Sequence, residues 1–138
     1  MKQNLDFFNA YVMVHRPLTN HTNRILEKHD ISGSYWRVLR ILEGSESKKF
    51  GEITDALTIE KPALTSIIKK LSALGVVEIV RGQDKREKIV MLTAFGKEKI
   101  AAIRQELNPF LENALKGLTQ EQLNNAIEVL QIMKKNIT

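Results

Sequence analysis

The feature that most constrains this chain is a change of hydrophobic period between residues 61 and 92. Leu64, Ile67, Ile68 and Leu71 fall at i, i+3, i+4 and i+7, a single apolar stripe along a helix. Pro62 suits the first position of that helix, where its missing amide has no intrahelical partner, and Gly75 ends it. The period then falls from 3.6 to 2. Val76-Val77-Glu78-Ile79-Val80 and Lys88-Ile89-Val90-Met91-Leu92 are β-branched runs on either side of the polar, glycine-containing stretch 81–87. A helix followed at once by two such runs predicts a helix packed beside a β-hairpin.

The remaining segments are helical. Residues 4–29 carry Leu5, Phe8, Val12 and Ile25 on one stripe, and Pro17 predicts a kink or break near 14–17. Ser32 can cap a second helix through Tyr35, Val38, Leu39 and Leu42, which stops at Gly44. The polar run 45–49 reads as a loop. A short helix with Phe50, Ile53 and Leu57 precedes the four-residue turn Thr58-Ile59-Glu60-Lys61. Thr93 caps a long helix through Ile100, Ile103, Leu107 and Leu111, with Pro109 expected to bend it and Gly117 to close it. Thr119-Gln120-Glu121-Gln122 is a capping box opening a last helix with Leu123, Ile127, Leu130 and Met133. The order α-α-α-α-β-β-α-α is mainly α with a small β-hairpin.

Charge narrows the function. The chain carries a net +5, unevenly spread. Residues 1–60 hold eight Lys/Arg against eight Asp/Glu, residues 89–138 six against five, and residues 61–88 seven against three. Nearly all the excess lies in the window that changes period, which points to a polyanion partner, double-stranded DNA above membrane or acidic protein. There are no cysteines, so disulfides, thiolate metal sites and thiol redox sensing are excluded. No apolar run approaches a membrane span and residues 1–6 lack a signal-peptide core, so the expected setting is cytoplasmic, without membrane contact.

Helix, short helix, tight turn, helix and basic hairpin is the order of a winged helix-turn-helix. The stripe Leu64/Ile68/Leu71 anchors the second helix of the pair and leaves Lys61, Ala63, Thr65, Ser66, Lys69 and Lys70 facing outward. Small hydroxyl side chains near its N-terminal end let it enter a major groove, with lysines meeting flanking phosphates. The hairpin tip offers Lys85 and Arg86, and an arginine suits the narrow, electronegative minor groove. Asp84 in this basic tip is expected to fix its shape by accepting hydrogen bonds from the wing backbone or from an arginine such as Arg81.

Residues 53–59, 64–71 and 74–77, with Arg81-Gly82-Gln83-Asp84-Lys85-Arg86 followed by Leu92-Thr93-Ala94-Phe95-Gly96, resemble the MarR family of bacterial transcription regulators. The wing matches that family's D-x-R … L-T-x-x-G signature. Trp36-Arg37-Val38-Leu39 and Leu118-Thr119-Gln120-Glu121 fit as well, so the resemblance spans nearly the whole chain. Thr58 stands where the family usually has glycine, and Pro62-Ala63 where Ser-Thr pairs are common. The resemblance implies a triangular homodimer on a palindromic operator, held by interlocked N- and C-terminal helices and acting as a repressor. Residues 1–31 and 93–138 would then dimerise, and 32–92 would form the DNA-binding lobe. Phe7, Phe8 and Tyr11 near one end, with Ile127, Leu130 and Met133 near the other, are more apolar surface than isolated end helices should show.

Regulators of this kind often respond to small aromatic or anionic compounds. Tyr35 and Trp36, with His15 and Arg16, are side chains suited to such an effector. His15, His21 and His29 are not at metal-ligand spacing, so no metal or other cofactor is expected. No Gly-rich phosphate loop, H-E-x-x-H or G-x-S-x-G is present, and the chain reads as a non-enzyme. The alternative is an architectural or partner-titrating winged-helix DNA binder without ligand response.

Overall fold

The computed structural model describes residues 2–45, 47–84 and 86–138, apart from the side chain of Gln3. Among the described residues, six helices and three strands follow in the order α1 (Lys2–Glu27), α2 (Gly33–Leu42), β1 (Ser47–Lys49), α3 (Phe50–Leu57), α4 (Lys61–Ala73), β2 (Val77–Arg81), β3 (Lys88–Leu92), α5 (Ala94–Ala114) and α6 (Gln120–Ile137). The fold is the expected mainly helical winged helix-turn-helix. The chain forms two compact units, residues 1–107 and 108–138. The division falls inside α5. Ile25 and Leu26 of α1 and Ile100, Ile103 and Leu107 of α5 are buried with the winged-helix residues of the first unit.

Local chemistry sets most boundaries. The Ser32 hydroxyl accepts the Tyr35 amide at 3.3 Å and starts α2. Leu64, Ile68 and Leu71 of α4 are fully buried, against Val38, Leu39 and Leu42 of α2 and Ile53 of α3 in the same core. Glu60 is the N-cap of α4 and Lys61 its first residue, which places Pro62 second, one position later than its sequence suggests. Proline is tolerated there for the same reason, since the first-turn amides have no intrahelical acceptor.

Two expectations need correction, the break at Pro17 and the loop at 45–49. α1 runs unbroken through Pro17. A proline removes one hydrogen bond, and the turns on either side still supply theirs. α5 likewise continues past Pro109 to Ala114. The polar run 45–49 contains a strand, because residues 47–49 pair antiparallel with β3 (Ser47 opposite Met91, Lys49 opposite Ile89). The sheet order is β1-β3-β2. β2 meets β3 from Val77 opposite Leu92 to Arg81 opposite Lys88. Val76 stays outside the ladder; its amide bonds the Leu71 carbonyl and its carbonyl accepts from Thr93.

The junction of wing and α5 depends on two residues. The Thr93 hydroxyl accepts the Gly96 amide at 3.0 Å, capping α5, and donates to the Gly75 carbonyl. Gly96 is buried, and a Cβ there would collide with the Val76 carbonyl oxygen.

Unit 2 comprises the end of α5 and α6. Thr119 forms the expected capping box with Gln122, whose side chain returns to the Thr119 amide at 2.9 Å. No residue of α6 is buried.

Thr58 ends α3 in the left-handed conformation, with φ of 54°. A β-branched residue there carries steric strain of about 1–2 kcal/mol that glycine avoids. Thr58→Gly is expected to raise stability by about 0.5–1 kcal/mol, part of the relief being offset by the freer unfolded chain. Urea denaturation followed by circular dichroism measures this; an unchanged or lower midpoint would contradict it.

Candidate nucleic-acid interface

Burial of the α4 stripe determines what the helix presents to solvent. Lys61, Ala63, Thr65, Ser66, Lys69 and Lys70 are all exposed, as their spacing predicts. The Thr65 hydroxyl donates to the Lys61 carbonyl at 3.0 Å. Its proton is therefore engaged within the helix, and its methyl group and an oxygen lone pair face outward. Three lysines and two hydroxyl side chains lie on this face with no acid among them, because Glu60 precedes the helix.

The wing tip is ordered by Asp84. Its carboxylate accepts the Arg86 amide at 3.0 Å, and its carbonyl accepts the Glu87 amide at 2.9 Å. The Gly82 amide closes the loop onto the Glu87 carbonyl at 3.1 Å. The acid thus folds the tip through the backbone, one of the two partners its sequence offered. Arg81 ends β2 opposite Lys88, and Arg86 is exposed. Lys85 lies outside the described residues.

Where the tip meets β3, the wing is tied to β1 and α3 by contacts that sequence reasoning missed. Lys49 Nζ lies 3.1 Å from Glu87 Oε1, while its backbone amide donates to Glu52 Oε1 at 3.0 Å, fastening β1 to the first turn of α3. Lys88 Nζ sits 5.6 Å from the centre of the Phe50 ring. The single signal for this pairing is an acid, Glu87, inside the most basic window. Its partner could not be read, because residues 45–49 have no period.

The effector candidates differ in burial. Trp36 is 4% exposed and belongs to the core, with the Arg104 guanidinium 5.0 Å above its ring. Tyr35 is half-buried, whereas His15 and Arg16 are exposed on α1. The His15 ring stacks on Tyr11 with centroids 5.6 Å apart. Among the described residues no group of three His, Cys, Asp or Glu side chains could hold a metal ion, and no helix is long and apolar enough to cross a membrane.

A two-point ion pair joins the end of α2 to α5. Arg104 grips Glu43 with two hydrogen bonds, at 3.0 and 2.6 Å. The donated hydrogen bonds hold the Glu43 carboxyl below its ordinary pKa and raise that of Arg104.

Comparison with known proteins assigns the family. The MarR family model matches residues 29–87. The HTH-type transcriptional regulator YwoH of Bacillus subtilis is 33% identical over 106 residues, 77% of each chain. A Staphylococcus aureus MarR in complex with salicylate and kanamycin superposes with a TM-score of 0.83 at 26% identity, covering 99% of this chain and 93% of that one. The fold also matches Sco3205, a MarR family transcriptional regulator from Streptomyces coelicolor in complex with DNA, with a TM-score of 0.89 at 20% identity over 100% and 93% of the two chains. The chain belongs to the MarR family of DNA-binding transcription regulators.

The Glu43–Arg104 pair makes stability pH-dependent. A carboxyl whose folded pKa is lowered contributes stability that is complete above its unfolded value and lost as pH falls through the folded one. Glu43→Gln is expected to cost about 1 kcal/mol at neutral pH and to flatten the acid limb of the stability curve. Thermal melts of both proteins across the acid range test this; parallel acid limbs would show that the pair does not carry the dependence.

Proposed function

We propose that this protein is a cytoplasmic, homodimeric repressor that reads a palindromic operator with α4 and its wing. The observation that carries the reading is the division of α4 into a fully buried apolar stripe and an outward face of Lys61, Ala63, Thr65, Ser66, Lys69 and Lys70. Ser66 and the Thr65 methyl would reach base edges while Lys61, Lys69 and Lys70 meet phosphates. Lys85 and Arg86 would enter the minor groove, with Asp84 and Arg81 shaping the tip. A dimer seated on its operator blocks polymerase by occupancy alone, so repression needs no further surface. Operator selection from random duplexes, then anisotropy titration at several salt concentrations, tests the reading. Equal affinity for selected and random DNA would instead indicate an architectural binder.

The wing gives a sharper expectation. Arg86→Lys keeps the charge but loses the flat, weakly hydrated guanidinium that a narrow groove favours. It should lose about 1 kcal/mol or more on operators with A·T-rich flanks and much less on G·C-rich ones. Wild-type affinity on every duplex would reduce Arg86 to a solvated charge.

Dimerisation is supported by two exposed apolar helices. Every described side chain from Asn4 to Pro17 of α1 is exposed, Phe7, Phe8, Tyr11, Val12 and Met13 among them. On α6, Ile127, Leu130 and Ile132 are about half exposed or more. A helix with this much open apolar surface gains by burial against a second copy. Leu130→Glu and Ile127→Glu together should remove roughly 3 kcal/mol or more of burial per protomer and yield a monomer or aggregate with little operator affinity. Sedimentation velocity reads this directly, and an intact dimer would exclude α6 from the interface.

A small aromatic or anionic effector completes the proposal. The exposed His15 and Arg16, with half-buried Tyr35, are one place for it to bind; Trp36 would contribute only after leaving the core.

A further inference from the structure

The outward stripe of α4 is its inward stripe displaced by two residues. Leu64, Ile68 and Leu71 are buried and Ile67 half-buried, while Pro62, Thr65, Ser66 and Lys69 repeat the same spacing on the opposite side, all four exposed. Ala63 lies exposed on the flank of this outer stripe. From Lys61 to Ala73 the helix holds no Asn, Gln, Arg, Asp or Glu. It therefore lacks the side-chain amides that grip adenine, and the guanidinium that grips guanine, through paired hydrogen bonds. With its lysines drawn to phosphates, the first turn and a half offers the floor of a groove one free hydroxyl side chain, Ser66, and otherwise carbon.

Two local features make this edge apolar. The Thr65 hydroxyl donates to the Lys61 carbonyl at 3.0 Å, which commits its proton to the helix and leaves the methyl outward. Pro62 has no amide hydrogen, and its ring stands at the second helical position. We propose that α4 selects its half-site by the C5 methyl groups of thymines, packed against the Pro62 ring and the methyls of Ala63 and Thr65. This deepens the DNA-binding reading and rests on it. Thymine alone carries a methyl on its major-groove edge, and Ala and Thr methyls are its usual apolar partners. Ser66 can hydrogen-bond any base and so discriminates little.

The contact is large enough to matter. Burying one methyl changes an equilibrium constant by about fourfold. Three such contacts in each half of a symmetric site multiply to about a thousandfold or more, the lower end of the preference that specific binders show over random DNA. The wing cannot produce the same preference. Arg86 would act in the minor groove, whereas the C5 methyl stands in the major groove, so its removal leaves the minor-groove edge of the base unchanged.

The experiment changes the DNA first and leaves the protein untouched. A duplex selected by the full chain is resynthesised with deoxyuridine in place of each thymidine of one half-site in turn, and anisotropy titrations compare the series. Uracil keeps every hydrogen-bonding group of thymine and lacks only the methyl. Thymines beneath the first turns of α4 should each lose about two- to fivefold on replacement, and those in the outer flanks, where the wing would lie, should lose nothing. Thr65→Ser keeps the hydroxyl without the methyl and should abolish the penalty at one of these thymines. Thr65→Val keeps a methyl without the hydroxyl and should retain it. Ala63→Gly should abolish the penalty at a different thymine. Both positions are exposed, and thermal melts of the variants separate lost binding from lost folding. A selected half-site without thymine, a site indifferent to uracil, or uracil penalties that survive both Thr65→Ser and Ala63→Gly would each overturn the inference and leave DNA recognition standing. Loss of the penalty in Thr65→Val with its retention in Thr65→Ser would assign the contact to the hydroxyl and overturn it too. Failure to select any duplex over random DNA would end both readings.

Discussion

The structure depends on a close approach between the first turn of α5 and the backbone of Gly75 and Val76. Gly96 permits it, since any side chain there would meet the Val76 carbonyl. Thr93 fixes it from the other side, accepting the Gly96 amide and donating to the Gly75 carbonyl. The turn after α4, both long strands and α5 meet at this point. The threonine and glycine of the L-T-x-x-G signature thereby acquire a mechanical role: they weld the hairpin to the helix that leaves the winged-helix lobe.

From that junction outward, the interface is built by ordinary burial. Three fully buried residues on α4 orient the helix, and the solvent face follows from the helical period. The wing relies on weaker means. Asp84 folds its tip by accepting a backbone amide, and Lys49–Glu87 and Lys88–Phe50 steady it where the tip meets β3. Each exposed contact contributes on the order of 1 kcal/mol or less, enough to bias the direction of a hairpin without making it rigid.

The helical termini obey a different logic. The N-terminal half of α1 and all of α6 leave apolar side chains open, although caps and periodicity form both helices well. Their sequences encode the helix but not its burial within the chain. Pro17 is harmless in this setting, because it interrupts one hydrogen bond in a helix of 26 residues.

The sequence by itself determined the elements and the outward face of α4. Ser32, Thr93 and Thr119 carry their capping chemistry with them, the strands follow from β-branched runs, and Leu64, Ile68 and Leu71 could face only inward. These are local properties, set by residues within a few positions of one another. Tertiary structure decided what depends on distant partners. Residues 47–49 became a strand because β3 offered a ladder, Trp36 entered the core beneath Arg104, and Thr58 took a left-handed conformation to close the turn between two packed helices. Glu43 found Arg104 across 61 positions, and no periodicity links residues so far apart.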